Sequence, residues 1–351
     1  MVKYYKPILG DLGKPAHELM VDEAIKLLPE KIQGLLQEKI KAEKIPAIAG
    51  IDVDGKWRVL ARFENPKTLA ELIIEGSRAE DQSYSAKKYY VDDRPINSIL
   101  GISVPSLAHY WCYEEYVNTA RNIGLLPEKK VNTPYWWLPG VNVFVKRILQ
   151  SLSKHQIPYQ SALSRATIYW NSDIKFKRKR INNPKIKAQI YLLLGRVLHL
   201  LTDVGVPAHS HCDTHFPWFD PDSLEFQVGF WMNEKEQKWE AKKDQKAIFD
   251  DKWNGPTTFF TKFAEISTLF DSDDVDGKGE GRPYRWGKDC RLGISGYMNK
   301  YALRSIADVI VPLNFQFIAG MILLFFKQFF PTIWKENKTE FLKNTTSIIN
   351  F

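Results

Sequence analysis

The sequence predicts an all-α fold, a multi-helix bundle with one small β-hairpin insertion. Apolar residues recur at helical spacing in segment after segment, strand signals are sparse, and the segment 185–204 is apolar on nearly all sides, as a helix enclosed by other helices must be. The chain has 351 residues, 44% hydrophobic and 26% charged, which supports a full core and excludes a disordered or collagen-like polymer. No repeat period is visible, so residues 1–351 read as a single helical domain.

From Glu18 to Leu28, Leu19, Met20, Ala24, Ile25, Leu27 and Leu28 form an apolar stripe between Pro15 and Pro29, predicting an amphipathic first helix. Further helical patterns cover Lys31 to Lys41, Leu69 to Ile74, Pro105 to Asn122, Val141 to Ser153 and Gln160 to Tyr169. Gly50 to Phe63 (GIDVDGKWRVLARF) alternates around Asp54-Gly55, the turn of the hairpin insertion. FKRKR, Phe176 to Arg180, reads as a solvated basic loop or helix end. The strongest helix is Lys185 to Val204. A last pair, Tyr297 to Val311 and Leu313 to Phe330, is expected to break at Pro312.

Several features exclude whole classes. Three cysteines, Cys112, Cys212 and Cys290, are too few and too scattered for a disulfide framework. The opening residues MVKYYKPILGDLGKP lack the apolar run of a secretory leader, which leaves open either a protein that is not exported or a leader not included in this sequence. Val309 to Phe326 is interrupted by Pro312, Asn314 and Gln316, so a buried core helix is expected there and no transmembrane span. The acidic run Asp271 to Gly281 fails as a calcium loop, because aligning Gly277 with the loop glycine puts Ser272 and Pro283 at ligand positions. The net charge of +8 favours anionic partners: nucleic acid, phosphate esters or an acidic membrane surface.

The chief chemical signal is a cluster of imidazoles and acids. Of seven histidines, His199, His209, His211 and His215 fall within seventeen residues, beside Asp203, Asp213, Asp220, Asp222 and Glu225. His199 and Asp203 are four apart in the driest helix and leave it on one face, one turn apart. Burying them requires either hydrogen bonding within the core or a metal ion. Pro207 then ends the helix and turns the chain so that His209 can reach the same region. The result is His199-x3-Asp203-x3-Pro207-x-His209.

This signature resembles that of the zinc-dependent phospholipase C family and the related S1/P1 nucleases. LGRVLHLLTDVGVPAHSH, at Leu194 to His211, is similar to the central helix and loop of that family. KPAHELMVDEAIKLL is similar to its first helix, EGSRAEDQS to a turn bearing an aspartate ligand, LAHYWCYEEY to its histidine-aromatic segment, and VPLNFQFIAGMILLFF to its last helix. The resemblance implies a phospholipase C/P1 nuclease-like bundle holding up to three zinc ions. One is implied at Asp81, His109, His199 and Asp203; a second at His17, with Asp203 bridging; a third at His209 and the loop that follows.

Two positions depart from the family. Its N-terminal tryptophan ligand has no counterpart, since this chain begins with Met1 and its first tryptophan is Trp57. The family's His-x3-Glu pair is also missing, because Pro221 stands four residues before Glu225; His215 with Glu225 is the favoured substitute, with His211 and Asp213 as alternatives.

Such a site implies phosphodiester hydrolysis by in-line attack of hydroxide, with Asp203 bridging and Asp81 available as general base. The implied substrates are a phospholipid head group or, as in the S1/P1 branch, single-stranded nucleic acid. Peripheral contact with an anionic membrane surface is compatible with the charge. The rival outside enzymology is a helical scaffold that binds metal without catalysis.

Overall fold

The computed structural model describes residues 16–51, 57–80, 162–210, 224, 228, 232, 239–270 and 300–347, and 73% of what is described is helical. The organising element is the predicted dry helix. Asn183 starts it by accepting hydrogen bonds from the Lys185 and Ile186 amides, with Pro184 in the first turn where its missing N–H costs nothing. From Leu194 onward almost every residue to Val204 is buried.

In chain order the elements are α1 (Ala16–Lys26), α2 (Glu30–Leu36), β1 (Lys39–Ile40), β2 (Ile48–Ile51), β3 (Trp57–Ala61), β4 (Lys67–Thr68), α3 (Leu69–Glu80), α4 (Ala162–Ile168), α5 (Pro184–Val204), α6 (Pro207–Ser210), β5 (Ala247–Ile248), α7 (Pro256–Ser267), α8 (Lys300–Phe329), α9 (Pro331–Lys343) and β6 (Thr345–Thr346). Helical turns continue α4 through residues 169–180. Leu224, Val228 and Met232 are helical and buried in the core.

The strands are accessory pairs. β2 and β3 pair antiparallel, Ile48 opposite Ala61 and Ile51 opposite Trp57, close to where the hairpin was expected. β1 joins β4 antiparallel, and β5 joins β6 in parallel. The β1 pairing shortens the helix expected over Lys31 to Lys41, which ends at Leu36.

α3 runs six residues past its expected end at Ile74. A reciprocal cap starts it: the Glu71 amide donates to Thr68 Oγ1 (3.1 Å) and the Thr68 amide donates to Glu71 Oε2 (2.7 Å). Burial opposes ionisation of Glu71, but the two Thr68 bonds and Lys67 prevail and hold its carboxyl below the ordinary range. α3 makes its most extensive contact with α5. The helices meet through glycines, since a Cβ on Gly76 would collide with the Leu192 carbonyl oxygen and one on Gly195 with that of Ile73.

Pro312 does not break the last helix. α8 runs unbroken from Lys300 to Phe329, and the Asn314 side chain donates to the Ile310 carbonyl (3.3 Å) beside the proline. Burial of Val311, Phe315, Phe317 and Ile318 on both sides of Pro312 outweighs the roughly 3 kcal/mol that an interior proline costs. Arg304–Phe329 is long and apolar enough to cross a membrane, and 83% of its most apolar window is buried inside the protein.

Candidate metal centre

Four of the expected site residues lie within the described residues, and the fold brings all four together. His17 is the second residue of α1, His199 and Asp203 lie in the last two turns of α5, and His209 is on α6. All are buried, none more than 3% exposed. α5 ends where Gly205, Val206 and Pro207 turn the chain, and Ser267 of α7 fixes that turn. Its hydroxyl donates to the Gly205 carbonyl (2.9 Å) while the Ser210 hydroxyl lies 3.0 Å from Ser267 Oγ, so His209 sits on a braced loop.

Asp203 is the hub. Its Oδ2 lies 3.3 Å from His199 Nε2; its Oδ1 lies 3.4 Å from His17 Nε2 and 3.9 Å from His209 Nδ1. The His17 and His199 rings are 4.0 Å apart between centroids. His17, His199 and Asp203 each offer a ligand atom, all within 4.8 Å of one another. One Asp203 oxygen thus faces His199 and the other faces His17 and His209.

The nitrogen–oxygen distances are compatible with a cation between the ligand atoms. A charge-assisted N–H···O bond closes to about 2.7–2.9 Å. Ligand atoms held about 2.0–2.1 Å from a tetrahedral zinc are instead separated by roughly 3.3 Å. The observed 3.3 and 3.4 Å match the second spacing.

Thr202 fixes the tautomer of His17. Its hydroxyl proton goes to the His199 carbonyl oxygen (2.6 Å), so its oxygen accepts from His17 Nδ1–H (2.5 Å). On neutral His17 the lone pair is then on Nε2, the atom that faces Asp203. A ligating histidine is normally oriented by this kind of bond through its other nitrogen. The sequence reading missed Thr202. A hydroxyl between His199 and Asp203 in an otherwise dry helix was the available signal.

A second buried polar group reaches α5 through Arg196, three residues before His199. Glu80, at the end of α3, accepts from Tyr169 Oη (3.0 Å), pairs with Arg165 Nε at 2.5 Å and lies 3.5 Å from Arg196 Nη1. Glu80, Arg165 and Tyr169 are all at most 1% exposed. This corrects the expectation of a turn over Glu75 to Ser83 as far as Glu80: that stretch is helix, and its last carboxylate is locked into the core.

The other expected ligands, Asp81, His109, His215 and Glu225, lie outside the described residues, as do the alternatives His211 and Asp213 and the acidic run from Asp271. No family model and no curated protein matches the chain.

The donor set could hold a metal ion. Imidazole nitrogens and a carboxylate suit a borderline cation, and the described centre contains no thiolate.

Proposed function

We propose that this chain is a zinc-dependent phosphodiester hydrolase of the phospholipase C type, built on a phospholipase C/P1 nuclease-like bundle. The observation that carries the reading is the set of metal-ligand spacings around Asp203, with its two oxygens turned toward different histidines. The arrangement of His199, Asp203, Pro207 and His209 supports the family resemblance, because residues spaced along the sequence as in that family also meet in space.

On this reading, His17, His199 and Asp203 would hold zinc, and His209 would serve a further ion. Zinc in such a site supplies Lewis acidity, making water nucleophilic near neutral pH and offsetting charge that builds on a phosphoryl group. The chain's own residues provide the rest. Asp203 supplies the negative charge that would draw a cation into a buried site. Thr202 holds His17 in the tautomer that can ligate. The enclosing apolar helices exclude bulk water, which strengthens electrostatic interactions at the centre. A phosphodiester bound there is cleaved to an alcohol and a phosphate monoester.

The test is metal analysis with parallel assays on bis-p-nitrophenyl phosphate, phosphatidylcholine and single-stranded DNA. Bound zinc with hydrolysis of the first two is the expected result. Zinc with cleavage of DNA alone would move the reading to the S1/P1 branch, and zinc without any turnover would leave a metal-binding scaffold. A chain that binds no zinc would contradict the proposal.

A further inference from the structure

Residues 175–187 contain seven basic residues and no acidic one. Two of the seven are tied down by the fold. Arg178 Nε donates to the Phe329 carbonyl at the end of α8 (2.6 Å), and Lys187 pairs with Glu38 (2.6 Å). A third, Lys177, lies 3.7 Å from Asp173. The backbone is helical across this turn, so Ile174, Arg178 and Ile181 point inward while Lys175, Phe176, Lys179 and Arg180 share the outward side. Those four and Lys185 are exposed, and among the described residues none of the four cations, Lys175, Lys179, Arg180 and Lys185, has a carboxylate within ion-pair distance.

Phe176 stands among them 65% exposed, the one large hydrophobic side chain so placed among the described residues. A phenylalanine ring has no polar atom to satisfy in water, so transfer of Phe176 into an apolar phase beside these cations would be favourable. Arg178, bonded to the end of α8, holds the turn rigid and keeps the ring outward.

We propose that this turn is a peripheral docking site for an anionic lipid surface, with Phe176 entering the boundary between headgroups and acyl chains and Lys175, Lys179, Arg180 and Lys185 lying over the lipid phosphates. Charge complementarity and a single apolar wedge are the two elements such contact needs. A nucleic-acid track would instead offer successive stacking platforms along a groove, and Phe176 has no exposed aromatic neighbour among the described residues. The site is separate from the metal centre: Lys185 and His199 are fourteen residues apart on α5, about 21 Å along its axis. The inference goes beyond the hydrolase reading and does not depend on it.

The experiment is sedimentation of the full chain with vesicles of phosphatidylcholine alone or mixed equally with phosphatidylglycerol, alongside fluorescence polarisation with oligothymidylate. Binding to the anionic vesicles, weakened by salt, is expected. Each cation contributes about fivefold to partitioning, so K179E/R180E should lower it at least ~25-fold, and F176S should lower it roughly tenfold. F176W should show a blue-shifted emission on vesicle binding. These exposed substitutions should leave zinc content and bis-p-nitrophenyl phosphate turnover unchanged, which separates failure here from failure of the hydrolase proposal. Absence of binding to anionic vesicles, equal binding by K179E/R180E and F176S, or oligothymidylate binding lost in K179E/R180E without vesicle binding would each overturn the inference.

Discussion

Asp203 carries more of the account than any other side chain, because three imidazoles face its two oxygens. Asp203→Asn keeps the shape and removes the charge, and should abolish both zinc binding and turnover; the check is zinc per chain by mass spectrometry beside a phosphodiesterase assay. Thr202 makes a finer prediction. Thr202→Val removes the acceptor for His17 Nδ1–H and should weaken zinc binding by about 10–100-fold, whereas Thr202→Ser should restore it. Nitrogen-15 NMR of the His17 ring should show the Nδ1–H tautomer in the native and serine forms and lose it in the valine form. Glu80 tests the neighbouring group: Glu80→Ala leaves two guanidiniums around an empty position and should cost about 3–5 kcal/mol in urea unfolding. At this scale the sequence made the ligands legible, because His199, Asp203 and His209 are tied by helical spacing and a proline. Their supports were less legible. Thr202 was signalled only by its hydroxyl in a dry helix, and Arg165 and Arg196 meet Glu80 from far along the chain, a pairing no local spacing reveals.

Among the elements, α3 and α5 cross at close range through Gly76 and Gly195. Gly195→Ala places a methyl group against backbone, which cannot give as a side chain tip can, and should destabilise the fold by at least about 2 kcal/mol in denaturant unfolding. A second prediction concerns the clamp between α8 and α9. Lys338 donates to Asp251 (2.6 Å) and Lys327 Nζ lies 3.4 Å from its other oxygen; the Lys338 bond, with help from Lys327 and against partial burial, holds the Asp251 carboxyl below its usual range. A depressed carboxyl adds stability above the ordinary pKa near 4 and loses it as pH falls through the folded value. Asp251→Asn should therefore cost up to ~1 kcal/mol at neutral pH and nothing in strong acid, read from unfolding curves across that range. Among the described residues helix existence was legible where apolar periodicity was long, as in α5, while the helices expected over Pro105 to Asn122 and Val141 to Ser153 lie outside them. Boundaries were less so: the cap at Thr68 and Glu71 drives α3 onward to Glu80, and burial of its flanks carries α8 through Pro312. α7 and α9, which both begin at prolines, were missed because they follow stretches with no strong stripe of their own.

Across the whole molecule, α1 and α5, far apart in sequence, meet at one buried centre, with α6 braced by α7 alongside. Such a centre couples metal to folding, since its ligands converge only in the native chain. Chelation should lower the midpoint of thermal unfolding, and added zinc should restore it. The hydrolase reading itself requires that cations occupy the space between His17, His199 and Asp203. Anomalous X-ray scattering measured at the zinc edge tests that directly. The account predicts a peak within about 2.0–2.2 Å of His17 Nε2 or His199 Nε2 and of an Asp203 oxygen. A map with no peak there, from crystals grown with zinc, would contradict it.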